Sequence, residues 1–159
     1  MEHVGHLPII ATKIYPFLDD SSVDIGKTLT MLAIHDIGEL VTGDTFTYLK
    51  SDDDSQEEYE HALKLLDPVY HPFYEDVENQ KSNSGKFAKS IDKMAPDLWE
   101  LSLEPKESIT RYQNKLGIKP KEIISLKKKS KMKYMEWNPF LSEFYEFILQ
   151  NLEKHFFNK

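Results

Sequence analysis

The segment from residue 25 to residue 41 is apolar on almost every side. Leu29, Met31, Leu32, Ile34, Ile37, Leu40 and Val41, set at about 100° per residue, leave no wide polar face. A helix of that kind is predicted to lie centrally and mostly buried, with other helices around it. Gly43 is its expected C-terminal stop. The rest of the chain supplies candidates for the surrounding layer. Pro8, in a first helical turn, with Ile9, Ile10, Ile14 and Phe17, predicts a helix to about residue 15. The run Asp19-Asp20-Ser21-Ser22 reads as a loop with N-cap residues. Residues 45–55, with Asp52-Asp53-Asp54, read as a polar connection. Helices are predicted over 57–66 and 69–80, and Ser82 to Gly85 reads as a turn. A long helical segment is expected over 86–103, bent or broken at Pro96. Two more helices are expected over 107–116 and 121–134. Asn138-Pro139 then caps a last helix with an apolar stripe through Phe140, Leu141, Phe144, Tyr145, Ile148, Leu152 and Phe156. No segment alternates apolar and polar residues as a strand does. The prediction is an all-α fold, one compact helical bundle over residues 1–159.

Charge and composition narrow the chemistry. The net charge of −7 over 159 residues disfavours nucleic acid or an acidic membrane as partner. Arg111 is the sole arginine, so bidentate guanidinium clamps on phosphate are nearly unavailable. With no cysteine, disulfides, thiolate zinc sites and a thiol nucleophile are excluded. No apolar run is long enough to span a bilayer. The first residues lack the basic-then-apolar pattern of a secretion signal, so a soluble cytoplasmic protein is expected.

The apolar helix has polar exceptions. His35, Asp36 and Glu39 fall within five residues of one another, and Gly43-Asp44 follows. Glu39 lies four residues after His35 and three after Asp36, so it shares their side of the helix. An unpaired buried carboxylate is costly, and a divalent cation between the side chains removes that cost. Imidazole nitrogen with carboxylate oxygens suits Mn, Fe, Co, Ni, Mg or Zn. The competing reading is a hydrogen-bonded core histidine, with Asp36 and Glu39 paired to lysines.

The stretch "HDIGELVTGD" resembles the HD-domain metal-dependent phosphohydrolases, whose name comes from consecutive His-Asp ligands. It is most similar to the small HD proteins that act as 5′-deoxynucleotidases, which carry His-Asp-x-x-Glu followed by Gly-Asp. The opening "EHVGHLPIIA" matches the early helix of that family, and "SIDKM" matches its distant Asp-Lys element. These motifs lie within residues 1–104, leaving 105–159 as C-terminal helices packing on them.

The resemblance implies that His3, His35, Asp36 and Asp92 bind one divalent ion, with His6, one turn after His3, as a rival for the first position. It implies that Glu39 orients or deprotonates the attacking water and that Asp44 is a second carboxylate near the water or the leaving oxygen. The implied reaction releases phosphate from a nucleoside 5′-monophosphate. Other phosphorylated nucleotides (a triphosphate or a guanosine polyphosphate) and a non-catalytic binding role are the alternatives. Relatives of this kind are often dimers, so a homodimer is expected on resemblance alone. The related nucleotidases also carry a basic and aromatic segment before the first histidine. Here Met1 stands two residues before His3, which implies either an upstream segment or a reduced substrate site. Lys86, Lys89 and Lys93 could replace its charge, though a solvated face is the simpler expectation for each.

Three further features weigh less. "KKKSKMK", residues 127–133, reads as a solvated helix face. His61, His71 and His155 form no second-ligand pattern. The aromatic load of the last helix reads as core packing rather than a dimer surface.

Overall fold

A computed structural model describes residues 2–43 and 46–157, the side chains of residues 2–4 and 47 excepted. The described residues form α-helices joined by short 3-10 turns, with no strand. The helices are α1 (Glu2–Ile14), α2 (Ile25–Ile34), α3 (Glu39–Thr42), α4 (Asp52–Leu65), α5 (His71–Asn79), α6 (Asn83–Glu100), α7 (Pro105–Leu116), α8 (Ile123–Lys131) and α9 (Pro139–Phe157). The all-α fold is thus as the sequence predicts. Among the described residues no helix is long and apolar enough to cross a membrane.

The central helix is α6, not α2. It packs against α1, α2, α5 and α9, and its buried residues run from Ser84 to Glu100. Of the expected bend or break at Pro96, the break does not occur: Pro96 lies inside the helix without ending it. A proline in a helix interior costs about 3 kcal/mol. Phe87, Ile91 and Met94 are each fully buried on the same helix and contribute about 1.5–3 kcal/mol apiece, so packing outweighs the lost hydrogen bond. Pro8 is likewise interior, because α1 starts at Glu2 rather than beside the proline. Leu7 and Ala11 flank it, both fully buried.

The long helix expected over 25–41 is two helices. Asp24 caps the start of α2, its carboxylate accepting from the Lys27 amide at 3.0 Å. After Ile34 the chain tightens into turns. The amides of Ile37, Glu39 and Leu40 donate to the carbonyls three residues back, Ile34 at 3.1 Å, Asp36 at 3.0 Å and Ile37 at 3.3 Å. Gly38 lies in these turns, where a side chain on it would collide with the backbone carbonyl of Glu58 in α4. The helix α3 that follows leaves Leu40 63% and Val41 54% exposed, so the apolar residues counted toward a central helix do not all face inward. Ile34 and Ile37 pack instead against Ala62, Leu66 and Tyr74, a small core between α4 and α5. Gly43 ends α3 with φ +81°, and its amide reaches the Glu39 carbonyl at 2.8 Å.

Capping residues explain two shifted boundaries. Ser51 and Asp54 form a reciprocal capping box, and the three aspartates that follow Ser51 occupy the positive end of α4. The polar connection therefore yields to helix at Asp52. Ser82 accepts from the Gly85 amide at 3.0 Å, so the expected turn is the first turn of α6. Gly85 also lies where α5 comes close, since a Cβ there would strike Asp76. At the far end, Asn138 caps α9 as expected, its Oδ1 accepting from the Leu141 amide at 3.3 Å.

Candidate metal centre

His35 is the C-cap residue of α2, where regular helix gives way to the tightened turns. Its Nδ1 donates to the Leu32 carbonyl at 2.9 Å, because a carbonyl can only accept. That bond fixes the ring and turns Nε2 toward two carboxylates. Oδ1 of Asp36 is 3.0 Å away and Oδ1 of Asp92 is 3.4 Å away. Asp92 comes from the buried middle of α6, a helix that packs against α2. One ligand-type atom from each residue lies within 4.8 Å of the others.

Burial is uneven around this cluster. His35 is 2% and Asp92 7% exposed, whereas Asp36 is only half-buried. One side of the cluster is therefore closed by protein and the other is open to solvent. Burial opposes a charge on His35. Hydrogen bonds and charge from Asp36 and Asp92 outweigh it and push the imidazolium up to about 10. The carboxylates thus demand a cation at Nε2, and a proton or a divalent ion satisfies that demand. The nitrogen and two oxygens fit a borderline or hard divalent ion, and the locked Nδ1–H is the arrangement metal-binding imidazoles use.

The sequence-predicted residues divide into three groups. His35, Asp36 and Asp92 meet. His6 does not join them: it is exposed and lies against Trp99, ring centroids 5.2 Å apart. The side chain of His3 and the whole of Asp44 lie outside the described residues. Glu39 opens α3, its Oε1 4.0 Å from Nζ of Lys50, and Lys50 binds Glu58 more closely. The remaining histidines serve local structure. His61 pairs with Glu57 at 3.6 Å, His71 meets the Leu66 carbonyl at 3.2 Å and His155 the Leu103 carbonyl at 2.8 Å.

A second charged group went unread in the sequence. Lys127 and Lys131 are buried, which corrects the solvated face expected for residues 127–133. Lys127 Nζ lies 2.5 Å from Asp97 Oδ1, 2.8 Å from Glu100 Oε2 and 2.7 Å from the Tyr112 hydroxyl. Lys131 reaches both Asp97 oxygens at 3.0 Å, and the Tyr145 hydroxyl donates to Oδ2 at 2.7 Å. Arg111 pairs with Glu100 from the rim. Burial pushes the Asp97 carboxyl up, and the two lysines with Tyr145 overcome it and hold it below its usual range. The signal was present in the spacing: Ile123, Lys127 and Lys131 recur every four residues on α8, and all three are buried.

The sequence profile of the HD domain family matches residues 1–126, a span that contains His35, Asp36 and Asp92. Among solved structures, a predicted metal-dependent phosphohydrolase from Magnetospirillum magnetotacticum MS-1 is similar in fold. It is 23% identical, with a TM-score of 0.72, over 97% of this chain and 76% of the other. No curated protein matches significantly.

Proposed function

The chain belongs to the HD domain family, and from that premise we propose that it is a metal-dependent phosphohydrolase acting on nucleoside 5′-monophosphates. The observation that carries this reading is the meeting of His35, Asp36 and Asp92 at one point. The similar structure from Magnetospirillum, a predicted metal-dependent phosphohydrolase, supports the reaction class. The "HDIGELVTGD" spacing supports the nucleotidase substrate.

His35 Nε2, Asp36 and Asp92 Oδ1 would hold the ion, with His3 as fourth ligand. When bound, a divalent ion supplies Lewis acidity toward a phosphoryl oxygen and acidifies water. The Leu32 carbonyl keeps His35 in the tautomer that presents Nε2. Glu39 takes the proton of the attacking water, and Asp44 steadies the water or the leaving oxygen. The closed side behind His35 and Asp92 keeps bulk water to one direction of approach. A cytoplasmic location and a homodimer belong to the same reading.

The test is phosphate release from a panel of nucleoside mono-, di- and triphosphates with manganese, cobalt or magnesium, with and without chelator. Monophosphates are expected to turn over and the chelator to stop it. Glu39→Gln is expected to lower kcat about 10²- to 10⁴-fold, the usual range for loss of a general base. No metal-dependent release from any nucleotide would sink the proposal, and pyrophosphate or triphosphate as product would change the substrate.

A further inference from the structure

Two carboxylates around a divalent ion cancel its charge. Asp36 and Asp92 form such a pair, and neutral His35 adds nothing. A phosphomonoester is close to a dianion at neutral pH, so a neutral centre attracts it weakly. A cation beside the ion changes the sign of the site.

Most described cations near the core are held elsewhere. Arg111 pairs with Glu100, while Lys127 and Lys131 pair with Asp97. Lys89 pairs with Glu78 at 2.8 Å, and Lys50 with Glu58. Lys93 is placed differently. Its Nζ is 2.9 Å from Oδ2 of Asp92, the carboxylate whose Oδ1 faces His35. Only the width of one carboxylate separates the ammonium from a candidate ligand oxygen. The side chain is 21% exposed, so its stem is packed and its head group is confined. An ammonium has three N–H donors, more than one carboxylate oxygen uses.

We propose, resting on the phosphohydrolase reading, that Lys93 binds a terminal oxygen of the substrate's phosphoryl group alongside the ion. Lys93 supplies the positive charge that Asp36 and Asp92 remove, and it does so where arginine is unavailable. Its grip on Oδ2 also leaves Oδ1 as the ligand atom of Asp92. The site then favours a phosphomonoester dianion over a singly charged diester.

The experiment titrates inorganic phosphate calorimetrically into the manganese-loaded full chain, with Lys93→Met and Lys93→Arg beside the parent. Manganese affinity is measured separately for each. Lys93→Met is expected to bind manganese at least as tightly as the parent, since Asp92 loses a competing cation. Phosphate is expected to bind about tenfold to a hundredfold more weakly, the scale of one charge-assisted hydrogen bond, and Lys93→Arg to recover most of it. Unchanged phosphate affinity in Lys93→Met overturns the proposal. Loss of manganese together with phosphate also overturns it, because Lys93 would then act only through Asp92. Should Lys93→Met lose its helical signal, Lys93→Gln is read by the same criteria. The two readings fail separately. A parent protein that binds manganese and phosphate through Lys93 but turns over no nucleotide refutes the hydrolase reading alone.

Discussion

His35, capping the end of α2, and Asp92 on α6 face each other across the helix interface, Nε2 and Oδ1 3.4 Å apart. Neither helix carries a complete site. Removing either side chain is therefore expected to abolish stoichiometric metal. Asp92→Asn and Asp36→Asn should each weaken manganese binding by more than about a hundredfold, since a carboxamide brings no charge to the ion. Elemental analysis of the purified variants is the check, and full metal content in both would refute the ligand set.

Proton and metal compete for the same nitrogen. His35 titrates near 10 in the metal-free protein, against an ordinary value of 6.5. A raised folded-state value means its stabilisation is complete below about pH 6.5 and is lost as pH climbs toward 10. The melting temperature of chelator-treated protein should therefore fall across that window, and the fall should be smaller in His35→Gln. Manganese affinity should move the other way, rising about tenfold per pH unit up to roughly pH 10 as the proton leaves. A pH-independent manganese affinity between about pH 7 and 9 would contradict this.

The Asp97 network is buried and satisfied, so breaking it from one side leaves uncompensated charge. Asp97→Ala is expected to cost about 3–5 kcal/mol in urea denaturation. Lys128, next to Lys127 in sequence, is 54% exposed and pairs with Glu146 on the surface. Lys128→Ala should change stability by less than about 0.5 kcal/mol.

Two glycines give opposite expectations. Gly38→Ala drives a methyl into the Glu58 backbone and should cost about 1–3 kcal/mol, with weaker manganese binding because the turn beside Asp36 must shift. Gly5 sits in α1, and among the described residues no atom comes within 4 Å of where its Cβ would stand. Gly5→Ala should stabilise by about 0.5–1 kcal/mol. Thermal melts of both variants decide.

The all-α fold was legible because the apolar spacing of α5, α6 and α9 is helical and Ser82 and Asn138 cap the starts of α6 and α9. The meeting of His35, Asp36 and Asp92 was legible because the three stood at positions like those of a family the sequence resembles. What escaped depended on partners remote in sequence. The tightened turn after Ile34 holds Gly38 against α4, and nothing between residues 25 and 41 announces α4. Lys127 and Lys131 read as surface residues because lysine usually is one. Asp97, thirty residues before Lys127, and Glu100 beside it offset the cost of burying them. Pro96 misled in the other direction, since its local cost was known and the packing that overcomes it was not.

The HD family match ends at residue 126, one position before Lys127. A chain trimmed at that edge would keep Asp97 and Glu100 on α6 and delete both lysines that answer them. It would also lose Tyr145, the hydroxyl donor from α9. The helix that presents Asp92 to the candidate cluster would then carry Asp97 without either lysine and Glu100 with Arg111 alone. Minimising this protein to its recognisable region would thus remove the counter-charge of its own central strut, so the smallest folding unit is expected to extend at least as far as α9.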